Sequence, residues 1–275
     1  MNILVVGLGL IGASYAKGLK NKGHYIYGVD INYETINYAL INNIVDEASL
    51  DAKDFIPKSD LIIIGLYPFN ILDFLNKYHN LFNDKQIITD VCGVKRCFVE
   101  EAKKISKPAK YISHHPMAGR EKVGIEYSDP TIFKKANFLI VNDDVNDKGI
   151  EVLREIAKDL EFNRISVISP EKHDKMIGFT SQLTHAIAVA LVNSDTEDDT
   201  INFIGDSYRD LTRIAKINKD LWSELFFSNK DYLINELDNF VTELEKIRTA
   251  LDTNDEELLK EQFVSAKLIR EKMEK

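Results

Sequence analysis

Cysteine, histidine and tryptophan are scarce in this sequence. The 275 residues include 2 cysteines, 6 histidines and 1 tryptophan. So few thiols in a chain of this length argue against a disulfide framework, and Cys92 and Cys97 lack the paired spacing of a zinc site. The metal-binding pattern HExxH does not occur either. We therefore expect neither structural disulfides nor a metal.

Basic residues are also in the minority. There are 35 Lys and Arg residues against 44 Asp and Glu residues, which gives a formal net charge of -9. Nucleic acids and acidic membranes attract basic surfaces, so this balance argues against both as partners. No basic region precedes the apolar N-terminus, which glycines interrupt, so it indicates a strand and a turn and not a signal peptide. The sequence therefore predicts a cytoplasmic protein.

The first apolar run, residues 2–6, ends in the glycine-rich stretch GLGLIG. Gly7 permits a tight turn, Gly9 lets the backbone approach a pyrophosphate, and Gly12 lets the following helix pack closely on the strand. A stretch of helical composition and a second apolar run come next. This order is typical of a dinucleotide-binding unit, although a glycine turn in another α/β protein has the same local pattern.

The start of the predicted helix and the end of the second strand supply the remaining contacts for a dinucleotide. Leu10 and Ile11 open the helix, where free N–H groups and a partial positive charge favour phosphates. Asp30 lies 18 residues after Gly12, where a carboxylate can accept hydrogen bonds from a ribose diol. A carboxylate there would repel a 2′-phosphate, and no arginine follows it in DINYET, so NAD is favoured over NADP. The alternative is that Asp30 is only a loop acid.

Strands alternate with helices through the first 169 residues. Further apolar runs predict strands at 61–65, 86–91, 110–113, 137–141 and 164–168. Such alternation predicts an α/β fold of Rossmann type, with a doubly wound, mostly parallel sheet. In such a sheet ligands bind outside the carboxyl ends of the strands. We therefore expect a dinucleotide-binding domain over 1–169.

The pattern becomes helical after Pro170. The nearly uncharged segment MIGFTSQLTHAIAVALVN should form a helix that is buried on most sides. Two later helices carry apolar residues at steps of three and four: Leu233, Leu237, Phe240, Leu244, Ile247 and Leu251, then Leu259, Phe263, Ala266, Ile269 and Met273. We predict an all-helical substrate and dimerisation domain over 170–275, and a homodimer. The alternative is an intramolecular bundle.

Two adjacent histidines mark the end of the predicted strand at 110–113. Pro116 disfavours a helical conformation for His115, which would hold that imidazole at the end of an extended segment. The position faces the same crevice as the predicted cofactor site. We interpret His114 as packing or support for its neighbour. Without further context, His115 could equally be a satisfied core histidine.

Motifs spread over most of the chain resemble those of the prephenate dehydrogenase family, which includes the arogenate and cyclohexadienyl dehydrogenases of tyrosine biosynthesis. The matching stretches are GLGLIGASYAKGL, DVCGVK, HPMAGREKVG, HDKMIGFTSQLTH and RDLTRIA. The first is shared by many NAD enzymes, whereas HPMAGxE together with DxTRIA is far more specific. The resemblance implies an NAD-dependent oxidative decarboxylation of prephenate to 4-hydroxyphenylpyruvate and carbon dioxide.

The resemblance also implies roles for individual residues. His115 matches the catalytic histidine that takes the proton of the substrate hydroxyl, and an ordinary imidazole pKa suits that task. Arg213 matches the arginine that binds a substrate carboxylate, although an ion pair with Asp206 or Asp210 is its structural alternative. Around them the resemblance places a crevice histidine, two residues of the loop after His115 and a tryptophan that approaches from the partner subunit: His185, Glu121, Lys122 and Trp222. For His185 and Trp222 a purely structural place in the helical core is the alternative.

Two departures from the family pattern bear on substrate and mechanism. Gly93 stands where many relatives carry a serine near the substrate hydroxyl, and Gln182 stands where many carry a second histidine. Arogenate, with an amino group in place of the keto group, is the main competing substrate. Arg120 could favour the keto acid by pairing with its side-chain carboxylate. A β-hydroxyacid dehydrogenase and a non-catalytic NAD-binding regulator are more distant alternatives.

Overall fold

Six parallel strands form the main sheet, in a computed structural model that describes residues 1–143, 147 and 149–274. The strands are β1 (Asn2–Val6), β2 (Tyr25–Val29), β3 (Glu47–Ser49), β4 (Leu61–Ile64), β5 (Ile87–Asp90) and β6 (Lys110–Tyr111). Their order is β3-β2-β1-β4-β5-β6, and every neighbouring pair is parallel. This is the strand order of a Rossmann fold, so the predicted fold class is confirmed.

Helices cover both faces of this sheet. They are α1 (Leu10–Lys20), α2 (Tyr33–Ile41), α3 (Pro68–Tyr78), α4 (Val99–Ile105) and α5 (Gly149–Asp159). Successive residues of β1 belong to different hydrophobic clusters, with Ile3 and Val5 in one and Leu4 and Val6 in the other. Side chains alternate across a strand, so each face of the sheet has its own core. Both cores hold the carboxyl ends of β1, β4 and β5 at one edge.

The chain leaves this sheet at Ile112. A second, three-stranded sheet follows, made of β7 (Ser113–Pro116), β8 (Asn137–Val141) and β9 (Arg164–Ile168), in the order β7-β8-β9. The β7–β8 pair is antiparallel and the β8–β9 pair is parallel. The predicted single strand at 110–113 is therefore wrong, because the histidine pair lies inside β7 and not beyond a strand end. An apolar run does not specify its partner strand, so the sequence could not show that residues 110–116 are divided between two sheets.

One long, bent helical segment follows the second sheet. It consists of α6 (Pro170–Ile177), a π-helical turn (Gly178–Leu183) and α7 (Thr184–Asn193), and the Ser169 hydroxyl accepts a hydrogen bond from the Lys172 N–H at its start. The segment is 24 residues long and, by length and composition only, apolar enough to cross a membrane, a test that core helices of soluble proteins also pass. The expectation that it is buried on most sides is wrong, since 28% of its most apolar stretch is buried. One chain leaves much of that face uncovered.

The remaining helices fall into two groups. α8 (Asp206–Thr212) and α9 (Lys219–Ser228) belong to the compact unit Met1–Asn229, together with both sheets. A second compact unit begins at Lys230 and contains α10 (Lys230–Asp252) and α11 (Glu256–Lys272), which pack on each other. These two helices carry the predicted apolar stripes. The predicted domain boundary at residues 169 and 170 stays a prediction.

Candidate active site

A cavity of about 950 Å³ lies at the carboxyl edge of the six-stranded sheet, within the unit Met1–Asn229. Its floor is formed by the segments that follow β1, β4 and β5, and the bent helical segment and α9 border it as well. The loop after β7 borders the cavity between these two sides. The predicted cofactor-binding turn and the predicted catalytic histidine therefore open into one space.

The glycine turn at the end of β1 has the geometry that a dinucleotide requires. Gly7 has a φ of +85°, and a Cβ there would approach the Gly65 carbonyl oxygen to 2.5 Å. A Cβ on Gly12 would overlap the Gly7 carbonyl oxygen, whereas a Cβ on Gly9 would meet no atom within 4 Å. No side chain caps the start of α1, so its first N–H groups are free of side-chain acceptors. The turn is tight on its protein side and open on the side where phosphates would lie.

The predicted ribose-binding carboxylate lies beside this turn. Asp30 is half-buried, and its carboxylate accepts hydrogen bonds from the N–H groups of Leu8 at 2.8 Å and Asn32 at 2.9 Å. These bonds fix the side chain against the glycine turn. Each carboxylate oxygen can accept a further hydrogen bond, so a ribose diol could still bind. Asp30 therefore has a structural contact that the sequence pattern did not reveal.

His115 lines the cavity from β7. Its Nδ1 lies 2.9 Å from Nε2 of His173, a buried residue of α6. Burial, and next the neighbouring His173 and Lys95, hold the pKa of His115 well below its usual value. The imidazole is therefore neutral near pH 7, which is the state that can accept a proton.

His114 has surroundings of a different kind. Its ring is fully buried and is hydrogen-bonded to the Tyr15 hydroxyl at 2.8 Å and to the Thr89 hydroxyl at 2.6 Å. Phe138 stacks on it, with 4.7 Å between the ring centroids. Burial holds its pKa well below the usual value. His114 is thus placed as packing, as the sequence predicts.

A buried lysine lies behind the two histidines. Lys95 is fully buried, and its ammonium group donates to Asp90 at 2.6 Å and to the carbonyl oxygen of His114 at 2.7 Å. The Tyr111 hydroxyl donates to the other oxygen of Asp90 at 2.7 Å. Through these two hydrogen bonds Lys95 links Asp90, at the end of β5, to His114 in β7. It also places a positive charge near the histidines, which disfavours their protonation.

Charged residues surround one side of the cavity. The Arg213 guanidinium forms an ion pair with Glu121, and not with Asp206 or Asp210 as its structural alternative supposed. Arg120 pairs with Asp129 at 2.7 Å. Lys122, whose ammonium lies 4.6 Å from the Tyr127 ring centroid, and Lys216 border the same region. The arrangement favours an anionic ligand.

His185 and Trp222 lie stacked at the helical side of the cavity. Their ring centroids are 3.7 Å apart, and His185 Nδ1 donates to the Ser181 carbonyl oxygen at 2.9 Å. Burial lowers the pKa of His185. The structure places Trp222 beside the cavity of its own chain, whereas the resemblance implied an approach from the partner subunit.

The two positions that depart from the family pattern are also in the cavity wall. A Cβ on Gly93 would lie 3.5 Å from Leu225 and 3.9 Å from Cε1 of His115, which are ordinary contacts. Gln182 is buried, and its side chain donates to the Leu225 carbonyl oxygen at 2.9 Å. Gly93 therefore leaves room beside the His115 imidazole, and the Gln182 side chain links the bent helical segment to α9.

Sequence reasoning missed the partners of His115. His173 and Asp174 were quoted as part of a motif but were given no role, and Lys95 was treated in the same way. The only local signal is a His-Asp pair in the first turns of a helix that follows Ser169 and Pro170. Nothing in that signal specifies which residue the pair contacts, because the contact joins residues 58 positions apart.

Comparisons with known proteins match the chain over both halves. The family model of the prephenate dehydrogenase nucleotide-binding domain matches residues 15–165, more than half of the chain. The model of the prephenate dehydrogenase dimerization domain matches residues 169–265. A prephenate dehydrogenase from Lactococcus lactis is similar at 31% identity, over 99% of this chain and 77% of that protein.

Solved structures are similar along the whole chain. Prephenate dehydrogenase from Aquifex aeolicus, in complex with hydroxyphenyl propionate and NAD+, has a TM-score of 0.90 and 29% identity, covering 99% of this chain and 98% of that chain. Synechocystis arogenate dehydrogenase has a TM-score of 0.84 and 26% identity, covering 99% of this chain and 100% of that chain.

Proposed function

The chain belongs to the prephenate dehydrogenase family, and on that premise we propose that it oxidises prephenate with NAD to 4-hydroxyphenylpyruvate and carbon dioxide. One observation carries the proposal. The neutral His115 imidazole and the open side of the Gly7–Gly12 turn line the same cavity, together with the charged Arg213. A base, a place for NAD and an anchor for a carboxylate are the parts that this reaction needs.

The proton transfer is assigned to His115. NAD, when bound, supplies the hydride acceptor. With Nδ1 directed at His173, the other ring nitrogen, Nε2, is the one available to a ligand in the cavity. As His115 takes the proton of the 4-hydroxyl group, the hydride leaves the same ring carbon. The ring carboxylate departs as carbon dioxide, its bonding electrons complete the aromatic ring, and the proton returns to the phenolic oxygen.

Substrate binding is assigned to the charged and aromatic side of the cavity. A guanidinium binds a carboxylate with two parallel hydrogen bonds, and Arg213 offers such a group. Glu121 pairs with this guanidinium, so a substrate carboxylate has to take the place of that side chain. Lys122 and Lys216 add positive charge, and the His185–Trp222 stack borders the cavity where the substrate ring would lie.

Arogenate is the second candidate substrate, since a similar structure is an arogenate dehydrogenase. The sequence argument for the keto acid is that Arg120 could pair with its side-chain carboxylate. In the structure that guanidinium pairs with Asp129, which reduces its availability for a substrate carboxylate. The choice of prephenate therefore rests on the family and on the similarity to the Lactococcus lactis prephenate dehydrogenase. Arogenate is tested in the same assay.

The test is an assay of the purified full-length protein with NAD and each substrate in turn. NADH formation is followed by absorbance, and 4-hydroxyphenylpyruvate or tyrosine is identified by mass spectrometry. We expect a higher kcat/KM with prephenate than with arogenate, and with NAD than with NADP. Turnover of arogenate alone would move the assignment to the second candidate, and NAD binding without turnover of either substrate would contradict both.

We also propose that the protein works as a homodimer in the cytoplasm. The dimerization-domain model covers the bent helical segment, whose apolar face one chain leaves uncovered. Large apolar side chains are exposed in and near that segment: Met176, Phe179, Val192, Ile201, Phe203, Leu211 and Phe227. Light scattering during size exclusion should give twice the chain mass of 31.4 kDa, and the mass of one chain at every concentration would contradict the dimer.

A further inference from the structure

We propose that His173 and Asp174 act as positioning residues for His115, fixing the tautomer in which Nε2 is the proton acceptor. The proposal rests on the proposed function, because it assigns a mechanism to the base of that reaction. The three side chains form a continuous line, with 2.9 Å between His115 Nδ1 and His173 Nε2 and 2.7 Å between His173 Nδ1 and Asp174 Oδ1.

The hydrogen bonds around Asp174 fix the direction of this line. Its Oδ1 accepts from the Lys95 N–H at 2.9 Å, and its Oδ2 accepts from the Arg96 N–H at 2.8 Å. Backbone N–H donors on both oxygens favour the ionised carboxylate, which accepts hydrogen bonds and cannot donate them. The remaining contact of Oδ1 is with His173, and His173 Nδ1 therefore carries the proton that it donates.

The tautomer of one imidazole then determines the tautomer of the next. A neutral His173 with a proton on Nδ1 has a lone pair on Nε2. That lone pair accepts a hydrogen bond from Nδ1 of His115, which must carry the proton of its own neutral ring. The lone pair of His115 is left on Nε2. Because Nδ1 is occupied on the protein side, Nε2 is the nitrogen that a substrate hydroxyl can reach.

Burial protects the hydrogen bonds between these side chains from competing partners. His173 and Asp174 are both fully buried, so bulk water does not compete for their hydrogen bonds. The neighbouring charges are the Lys95 ammonium, which is neutralised by Asp90, and the Arg96 guanidinium, whose Nε lies 3.7 Å from Asp174 Oδ2. On its outer side Arg96 approaches Glu171 at 3.8 Å. Among the described residues named here, only Asp174 accepts a hydrogen bond from His173 Nδ1.

The line also links two parts of the chain. Asp174 lies on α6, and the N–H groups that hold it belong to the segment after β5, which contains Gly93. Where many relatives carry a serine, Gly93 offers His115 no hydroxyl. The imidazole is oriented from its other side, through His173. When His115 takes a proton, the Asp174 carboxylate can stabilise the positive charge through the intervening ring.

Two substitutions at one position test the proposal. His173→Leu removes the acceptor of the His115 N–H, whereas His173→Gln keeps an amide oxygen that can accept from it. With prephenate we expect kcat to fall about tenfold or more in H173L and to stay within about threefold of the parent in H173Q, since a positioned base contributes ~10²–10⁴ in rate. KM for NAD should stay within about twofold in both, because His173 lies away from the glycine turn.

Asn229→Ala is the matched structural control. The Asn229 amide donates to the Asp174 carbonyl oxygen at 2.9 Å and to the Gln182 side chain at 2.8 Å, so its loss loosens the same junction without touching either imidazole. We expect N229A to lower Tm and to leave kcat near that of the parent. Equal losses of kcat in H173L, H173Q and N229A would mean that the junction is merely structural, and would overturn the proposal.

Nitrogen-15 NMR of the histidine rings gives a readout that does not depend on turnover. The His115 signals, identified by their loss in His115→Asn, should show a protonated Nδ1 and an unprotonated Nε2 in the parent and a mixture of tautomers in H173L. A parent ring protonated on Nε2 would overturn the proposal. The expected tautomer in a protein that turns over neither substrate would support the positioning role and contradict the proposed function instead.

Discussion

At position 114 an imidazole lies between two hydroxyl groups, whereas at position 115 the next imidazole meets the cavity. The first is satisfied by Tyr15 and Thr89, and the second uses one nitrogen for His173 and leaves the other to a ligand. The residue type alone therefore does not assign the base. We propose His115 as the base because its Nε2 lies in the cavity where NAD and a carboxylate-binding arginine are expected.

His115→Asn is the first residue-scale prediction. Asparagine removes the titratable base but remains polar, so kcat should fall by about 10²–10⁴, the usual contribution of a positioned base. The affinity for NAD, measured by calorimetry, should stay near that of the parent. His114→Asn is not a suitable control because that ring is part of the core. An unchanged kcat in H115N would show that another group takes the proton.

Arg213→Ala is the second prediction at this scale. Loss of charge-assisted hydrogen bonds of about 1.5–3 kcal/mol predicts a KM for prephenate that is about 10- to 150-fold higher, with a smaller effect on kcat. Arg209→Ala is the matched control, since that arginine pairs with Asp206 on the same helix, α8, and does not border the described cavity. Equal KM values in the two variants would remove Arg213 from the substrate site.

Single residues were predictable from sequence to the extent that a motif names them. Pro116 and the surrounding HPMAG pattern led to His115, and the structure places that residue in the cavity. Asp174 and His173 lie far away in sequence, and only the packing of α6 against the segment after β5 brings them to it. No local pattern carries that information.

At the scale of elements, the turn between β1 and α1 depends on backbone space. Gly7 needs a positive φ, Gly12 has no room for a Cβ, and a Cβ on Gly9 would meet no atom within 4 Å. The Leu8 N–H, held by Asp30, completes the link between this turn and β2. The fold therefore requires the two outer glycines, whereas Gly9 is the position at which we propose that the cofactor approaches the backbone.

Two alanine substitutions separate these functions. Gly12→Ala forces a methyl group against the Gly7 carbonyl, so we expect a loss of about 1–3 kcal/mol in unfolding free energy together with weaker NAD binding. Gly9→Ala adds a methyl group that no protein atom opposes, so the fold should remain stable while NAD binds more weakly. Urea unfolding and calorimetry measure the two effects. A stable G12A protein with full NAD affinity would contradict this assignment.

Among the elements, β1, β8 and β9 were predicted from apolar runs with their observed bounds, and β2 was predicted as the second apolar run. The short β3 escaped, because its three residues carry no apolar run. The passage of the chain from β6 in one sheet to β7 in the other was not predicted, for a different reason. Only Ile112 separates the two strands in sequence, and their different partners, β5 and β8, are set by the tertiary arrangement.

The whole molecule contains buried histidines whose protonation opposes folding. His114 and His173 are fully buried, and burial holds the pKa of each well below that in an unfolded chain. Below about pH 6.5 the unfolded chain binds protons that these two rings do not, so acid favours unfolding. Asp174 acts in the opposite direction, since burial raises its pKa to about 6 and the folded state takes up that proton first.

We therefore predict that acid lowers the stability of the whole molecule. Between about pH 7 and about pH 5.5 the buried histidines His114 and His173, together with His115, should lower the unfolding free energy, and Asp174 should return a smaller part of it. The net loss should be on the order of a few kcal/mol. Urea unfolding at both pH values measures it. His79→Gln, which replaces an exposed histidine, should show the same loss as the parent. A stability that is equal at both pH values would contradict this account.

The overall organisation was predictable in part. A sheet domain followed by helices could be read from the change of period near Pro170, and the two family models fall on either side of it. The sequence could not predict how much of the bent helical segment one chain covers. An apolar helix face has the same sequence whether the same chain or another chain covers it.

The pairing of β7 with β8 decides which of the two imidazoles reaches the cavity. Ser113 lies opposite Val141 and Pro116 opposite Phe138, and this alignment alone sets the direction in which each ring projects. A slip of one position along the neighbouring strand would turn every side chain over. Position 115 would then point toward the hydroxyl groups of Tyr15 and Thr89, and position 114 toward the cavity. Strand alignment therefore decides which of two identical side chains lines the cavity.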